Sequence, residues 1–160
     1  MEIYKLLWYN SLVTIRKHGS VGGICKCYSD EKSMPTYETL KGNIMEKLAG
    51  KAAVELRFGG IDMGAESDLD DANYLIRDAV ETLCVEGFDY GYDIAKYSDK
   101  QAVQRVDRIT EKVYDLIREY YEACTEILKA NRLLLDEIAT ELLEKRTLLY
   151  EDLEGYSIVG

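Results

Sequence analysis

Leu48-Ala49-Gly50-Lys51-Ala52-Ala53-Val54-Glu55-Leu56-Arg57-Phe58-Gly59-Gly60, followed by Ile61-Asp62-Met63-Gly64-Ala65-Glu66-Ser67-Asp68-Leu69, is the stretch that decides how this chain folds. It reads as the end of one helix, a glycine-punctuated loop and the start of a second helix. The small residues Ala49, Gly50, Ala52 and Ala53 permit another element to approach the first helix closely. Gly59, Gly60 and Gly64 allow backbone angles that other residues resist. Ser67 is the expected N-cap of the second helix, which puts Asp68 at the helix start. The loop then delivers one carboxylate toward whatever packs on the small-residue face.

On the N-terminal side of this stretch, Pro35-Thr36 opens the first helix. Leu40, Ile44, Leu48 and Ala52 recur every fourth residue, with Met45, Ala49, Ala53 and Leu56 beside them. That is a wide amphipathic stripe ending near Arg57. On the C-terminal side, a helix from about Asp68 to Val85 would bury Leu69, Ala72, Ile76, Ala79, Val80 and Leu83 and stop at Gly87. Phe88-Asp89-Tyr90-Gly91-Tyr92-Asp93 forms an aromatic connector. Ser98-Asp99-Lys100-Gln101 fits a capping box. Ala102, Val106, Ile109, Val113, Leu116, Ile117, Tyr120, Cys124, Ile127 and Leu128 then predict one or two long helices. After Asn131, a further helix carries Leu135, Ile138, Ala139, Leu142 and Leu143.

Near the N-terminus, Leu12-Val13-Thr14-Ile15 is β-branched and apolar, so it reads as a strand. His18-Gly19-Ser20 is a turn, and Val21–Tyr28 is a second strand weakened by Gly22 and Gly23. Glycine inside a strand marks close approach by another backbone. Met1–Tyr9 reads as the tail of a helix. The expected fold is mainly α: a helical bundle with a small N-terminal β-hairpin, one domain over residues 1–160.

A hydrophobic share of 47% supports a real core, and the net charge of -10 argues against a nucleic-acid partner. No apolar run is long enough to span a bilayer, so this segment is expected to make no membrane contact. Met1–Trp8 is a poor signal peptide. Cys25 and Cys27, two apart on a strand, share one face; with Cys84 and Cys124 they read as reduced, packed thiols. A metal or redox role is the other reading, although no C-x-x-C pair is present.

The Gly50–Leu69 block resembles the peptidase domain of the FtsH family, membrane-anchored ATP-dependent zinc metalloproteases. That family carries a G-G-R-A-A-E-E-like run, then F-G, then T-G-A-x-N-D-L. Here these are Ala49-Gly50-Lys51-Ala52-Ala53-Val54-Glu55, Phe58-Gly59 and Met63-Gly64-Ala65-Glu66-Ser67-Asp68-Leu69. Ser67 stands where the family has Asn, and Val54 where it has Glu. The resemblance implies that Asp68 is the third zinc ligand. The segment Leu12–Tyr28 is similar to the family's V-T-I-x-x-R-G-x-A-x-G-Y-T hairpin. By position, Gly23, Ile24 and Cys25 would form the edge strand on which substrate adds; a plain hairpin covering the helices is the alternative. Glu144-Lys145-Arg146-Thr147-Leu148 resembles the family's L-L-E-K-E-T-L ending, with Thr147 capping a last turn. The connector Phe88–Asp93 departs from the family pattern. The resemblance covers about Leu12 to Glu154, with long C-terminal helices over 98–147. It implies zinc in the intact family, peptide or unfolded-protein substrates, homo-oligomers (hexamers in the family), and a cytoplasmic domain that is membrane-anchored when intact.

The chemistry is incomplete within this chain. Zincins place two histidines one helical turn apart with a glutamate general base between them. This chain has one histidine, His18, and neither H-E-x-x-H nor G-x-x-x-x-G-K-[ST]. No catalytic residue is assigned, and the isolated chain is expected to hold no cofactor and to be inactive. Two explanations stay open. The chain is a piece of a larger protease, or it is a stand-alone pseudoprotease serving as an assembly or interaction module. In the second case Asp68 is a helix-start carboxylate at a positive dipole end. An unrelated helical bundle is a third reading. Asp68, Asp70 and Asp71 do not have EF-hand offsets, and triad chemistry through His18 lacks a nucleophile motif.

Overall fold

The computed structural model describes residues 12–17, 19, 22–26, 36–60, 63–87 and 99–156. The elements run β1 (Leu12–Thr14), β2 (Ile24–Lys26), α1 (Tyr37–Phe58), α2 (Glu66–Glu81), α3 (Asp99–Ala130), α4 (Arg132–Lys145), β3 (Thr147–Leu149) and α5 (Tyr150–Leu153). The fold is therefore mainly helical with one small sheet. The chain divides into two compact units: Pro35–Glu126, and Met1–Met34 with Ile127–Gly160.

In the helical unit, α1 begins as its sequence dictates. The Thr36 hydroxyl accepts the Thr39 amide at 3.2 Å. This satisfies one of the helix's orphan donors. Ile44, Leu48 and Ala52 are buried on one stripe. Gly59 ends the helix in the left-handed region at φ 67, and its N–H bonds the Glu55 carbonyl at 2.9 Å. Two expectations fail here. Gly60 does not take a left-handed angle, and Gly50 is exposed with nothing within 4 Å of where a Cβ would sit. Gly50 lies on the solvent side of the stripe, so Ala52 makes the close approach instead.

Helix α2 starts earlier than the cap chemistry suggested. A 3-10 turn over Met63–Ala65 leads directly into Glu66, and Ala65 is the N-cap without a side-chain bond. Ser67 does not cap. The chain is already helical there, and a capping side chain needs an extended residue. Ala72, Ile76, Ala79 and Val80 are buried as expected. The helix stops at Glu81 with Thr82 as C-cap, short of Gly87. Leu83 is consequently out of register with the stripe and 58% exposed. Gly87, at φ 106, shapes the following turn by bonding the Cys84 carbonyl.

Helix α3 buries Ile109, Val113, Leu116, Tyr120 and Cys124. At its N-terminal end the stripe runs through Arg105, which is 5% exposed, rather than Val106, which is 44% exposed. Residues 105 and 109 are one turn apart, so the face has the right period and a charged member that a hydrophobicity pattern passes over. Tyr120 and Tyr121 reach toward opposite ends of α1. The Tyr120 hydroxyl meets that of Tyr37, beneath Lys41, and Tyr121 donates to Glu55, beneath Lys51. The Cys124 thiol donates to the Met45 carbonyl at 3.2 Å between them. Arg77 and Thr110, with Lys112 and Glu86, join α2 and its C-terminal turn to α3.

In the other unit, β1 is central in the order β2-β1-β3, antiparallel to both neighbours. Thr14 pairs with Ile24 on one side and Thr147 on the other. Thr147 was expected to cap a turn; it is the first residue of β3, its hydroxyl 2.9 Å from that of Thr14. Leu149 is the N-cap of α5, and the Asp152 carboxylate at the helix's third position accepts the Leu149 amide at 2.9 Å. Leu148 and Leu153 are buried, whereas α4 has no buried residue. The expected helix over Met1–Tyr9, the connector Phe88–Asp93 and the Ser98 cap lie outside the described residues.

Candidate functional site

Asp68 is the third residue of α2, and its side chain is 48% exposed. Carboxylates in a helix's first turn are favoured by the dipole and the orphan amides. Its Oδ1 lies 3.1 Å from Lys47 Nζ, and Asp71 Oδ2 lies 3.3 Å from the same ammonium. Lys47 precedes the buried Leu48, so the fixed face of α1 sets where the ammonium hangs. The hydrogen bond to Asp68 raises the Lys47 pKa, and burial opposes the rise more weakly. Sequence reasoning missed Lys47. The available signal was a lysine on the shoulder of the α1 stripe and an acidic run Asp68, Asp70, Asp71 opening the next helix.

This donor set does not make a zinc site by itself. Zinc needs at least three nitrogen, sulfur or oxygen ligands in tetrahedral array. Among the described residues no three His, Cys, Asp or Glu side chains cluster to hold a metal. The one expected ligand faces an ammonium, and a metal cation on that oxygen would have to displace it.

The second expected site is the strand at Gly23, Ile24 and Cys25. Gly23 directly precedes β2, and a Cβ there would stand 2.8 Å from the Thr14 carbonyl oxygen. The close approach expected of a strand glycine is real at Gly23; at Gly22 nothing lies within 4 Å. Ile24 and Cys25 pair with Thr14 and Val13. They lie on the outer strand of the sheet. Asp68 belongs to the helical unit and Gly23–Cys25 to the sheet unit. Cys84 and Cys124 are free thiols, Cys25 is exposed, and Cys124 is buried, which pushes its pKa up to about 11. His18 and Cys27 lie outside the described residues.

The sequence model of Peptidase family M41 matches residues 10–155, nearly the whole chain. The chain belongs to peptidase family M41. Curated relatives agree. It is 32% identical over 152 residues to the ATP-dependent zinc metalloprotease FTSH 3, mitochondrial, of Arabidopsis thaliana, covering 88% of this chain and 18% of that protein. It is 30% identical over 155 residues to the ATP-dependent zinc metalloprotease FtsH of Thermus thermophilus, covering 89% and 24%. With the FtsH of Clostridium perfringens the identity is 28% over 149 residues, covering 86% and 20%. This M41 chain thus spans about a fifth of the length of these relatives. No described helix is long and apolar enough to cross a membrane.

Proposed function

We propose that this chain is the C-terminal part, or a degenerate relative, of an ATP-dependent zinc metallopeptidase domain, and that it does not cleave peptides by itself. One observation carries the reading: the chain owns a single histidine, and Asp68, its one expected metal ligand, is held by Lys47. In the intact protein Asp68 would be the third zinc ligand, with imidazoles from outside this chain. Gly23, Ile24 and Cys25 would border a peptide or unfolded-protein substrate. Self-association and a cytoplasmic position belong to the same proposal. A second reading, a non-catalytic assembly module, is favoured by the same lysine. An ammonium bridging Asp68 and Asp71 suits a structural helix-start carboxylate.

The test is direct. The purified chain is dialysed against zinc, its metal content measured, and its action on unfolded casein followed. No stoichiometric zinc and no cleavage are expected; tightly bound zinc that disappears in Asp68→Asn overturns the proposal. An antibody to this chain then separates the two readings in the source cells. A product far larger than 18.3 kDa supports the part of a protease, and one of 18.3 kDa the assembly module.

A further inference from the structure

Three segments that leave one end of the sheet converge on an open cleft of about 570 Å³. It is lined by Ile15, Arg16 and Lys17, which follow β1, by Gly22, which leads into β2, and by Arg146, which precedes β3. Because β1 is antiparallel to both neighbours, all five fall at the same end. Among the described lining residues three are cations and none is an acid, in a chain with 30 acidic and 20 basic residues. Elsewhere Lys47, Lys51, Arg77, Lys112, Arg118 and Lys145 each pair with a carboxylate, whereas Lys26, Arg108 and Arg132 make no ion pair among the described residues. Arg16, Lys17 and Arg146 make no ion pair among the described residues. Like charges gathered without a counter-charge repel one another.

The backbone gives a second, independent sign. Arg146 is the C-cap of α4 and sits at φ 67, in the left-handed region. Glycine takes that conformation freely, whereas a side chain resists it. The position is fixed by the sheet, since the Arg146 carbonyl accepts both the Ile15 amide and the Thr14 hydroxyl at 3.1 Å. A cation near the end of α4 is not what demands arginine. Lys145 already lies in the last turn, paired with Glu141 and Asp152. The guanidinium thus stands at a position whose backbone would suit glycine better.

We infer that this cleft seats a carboxylate of an acidic peptide lying extended beside β2. Guanidinium forks bind carboxylates in paired, charge-assisted hydrogen bonds. A chain pairing with the outer strand would pass its end over the cleft, because Gly22 opens the path into β2 and carries no side chain. The strand half of this inference rests on the substrate-strand reading of Gly23, Ile24 and Cys25; the carboxylate half does not.

The experiment measures rhodamine anisotropy of extended peptides on the purified chain. One peptide ends in Glu-Glu, one in an amidated Gln-Gln, and a third repeats the first with alternate backbone amides N-methylated. The Glu peptide should bind about tenfold tighter than the Gln peptide, as one charged hydrogen-bonded pair is worth. Arg146→Gly should remove that difference without lowering the melting temperature, since glycine suits the backbone there. Arg16→Gln with Lys17→Gln should remove it too. Equal binding of the Glu and Gln peptides, or an unchanged Glu-peptide affinity in both variants, overturns the inference. If the N-methylated peptide still binds through Arg146, the cleft stands and the substrate-strand reading falls. If its binding is lost, both stand.

Discussion

The helical unit Pro35–Glu126 and the sheet unit around β1 hide their apolar surface in opposite ways. In the first, three helices each bury a continuous stripe: Ile44, Leu48 and Ala52; Ala72, Ile76, Ala79 and Val80; Ile109, Val113, Leu116, Tyr120 and Cys124. In the second, the buried apolar residues among those described are Leu148 and Leu153, and α4 buries nothing. A helix stripe is a local, periodic device, so each helix brings its own share of the core. A three-residue strand brings little until its partners arrive, and for β1 one of them, β3, comes from far along the chain.

The largest effect should come from the cores. Ile76→Ala should cost about 3 to 4 kcal/mol and Leu148→Ala about 3 kcal/mol, the usual range for a buried aliphatic cut to alanine. Hydrogen exchange separates them. Ile76→Ala should speed exchange in α1 and α2, and Leu148→Ala in β1 and β3. If each substitution speeds exchange everywhere alike, the two regions melt together and the comparison breaks.

A middle-sized effect should fall on the sheet unit alone. Gly23→Ala puts a Cβ 2.8 Å from the Thr14 carbonyl oxygen, a backbone atom that cannot swing away. We expect a loss of about 1 to 3 kcal/mol by urea unfolding, in line with overpacking. Gly22→Ala, with open space around it, should stay within about 0.5 kcal/mol. Equal effects would mean that the strands do not approach closely at Gly23.

The smallest effect concerns titration. In the helical unit, burial is the largest cause that pushes Tyr121 up to about 12 and Cys124 up to about 11. Folded-state pKa values above the unfolded ones stabilise fully below the unfolded values. That contribution is lost as pH rises, from the ordinary thiol range through about 11 for Cys124 and from about 10 through about 12 for Tyr121. In the sheet unit the causes lie on the surface. The hydrogen bond from Lys145 lowers Asp152 and Glu141, so their contribution is present above the ordinary carboxylate range and lost as pH falls through the lowered values. Salt of roughly 1 M should shrink the sheet unit's carboxylate shifts and leave those of Tyr121 and Cys124 in place. Carbon-13 NMR of labelled tyrosine, cysteine, aspartate and glutamate checks this. A Tyr121 shift that vanishes in salt would contradict burial as its cause.

Much of the helical unit was legible from residue spacing. The Thr36 cap, the Gly59 stop and the stripes of α1 to α3 are decided by side chains within a few residues of one another. The misses share one cause. Ser67 lost its cap because a 3-10 turn had already wound the chain. Val106 lost its place in the core to the long side chain of Arg105. Thr147 became a strand because β1, 133 residues earlier, supplied its hydrogen-bond partners. Of the candidate site, Asp68 at a helix start and Gly23 at a close approach were legible; Lys47 beside Asp68 was not, because α1 and α2 had first to pack.

The amino-acid sequence by itself determined the helices, most of the buried faces of α1 to α3, the family to which the chain belongs and the absence of a second histidine from these 160 residues. Those properties depend on residue identity and on short-range periodicity. The addition of β3 to the hairpin of β1 and β2, the ammonium on Asp68 and the gathering of Arg16, Lys17 and Arg146 at one cleft were decided only by tertiary structure. Each depends on groups far apart in sequence, and only the folded chain sets the distances that govern hydrogen bonds and charge pairs.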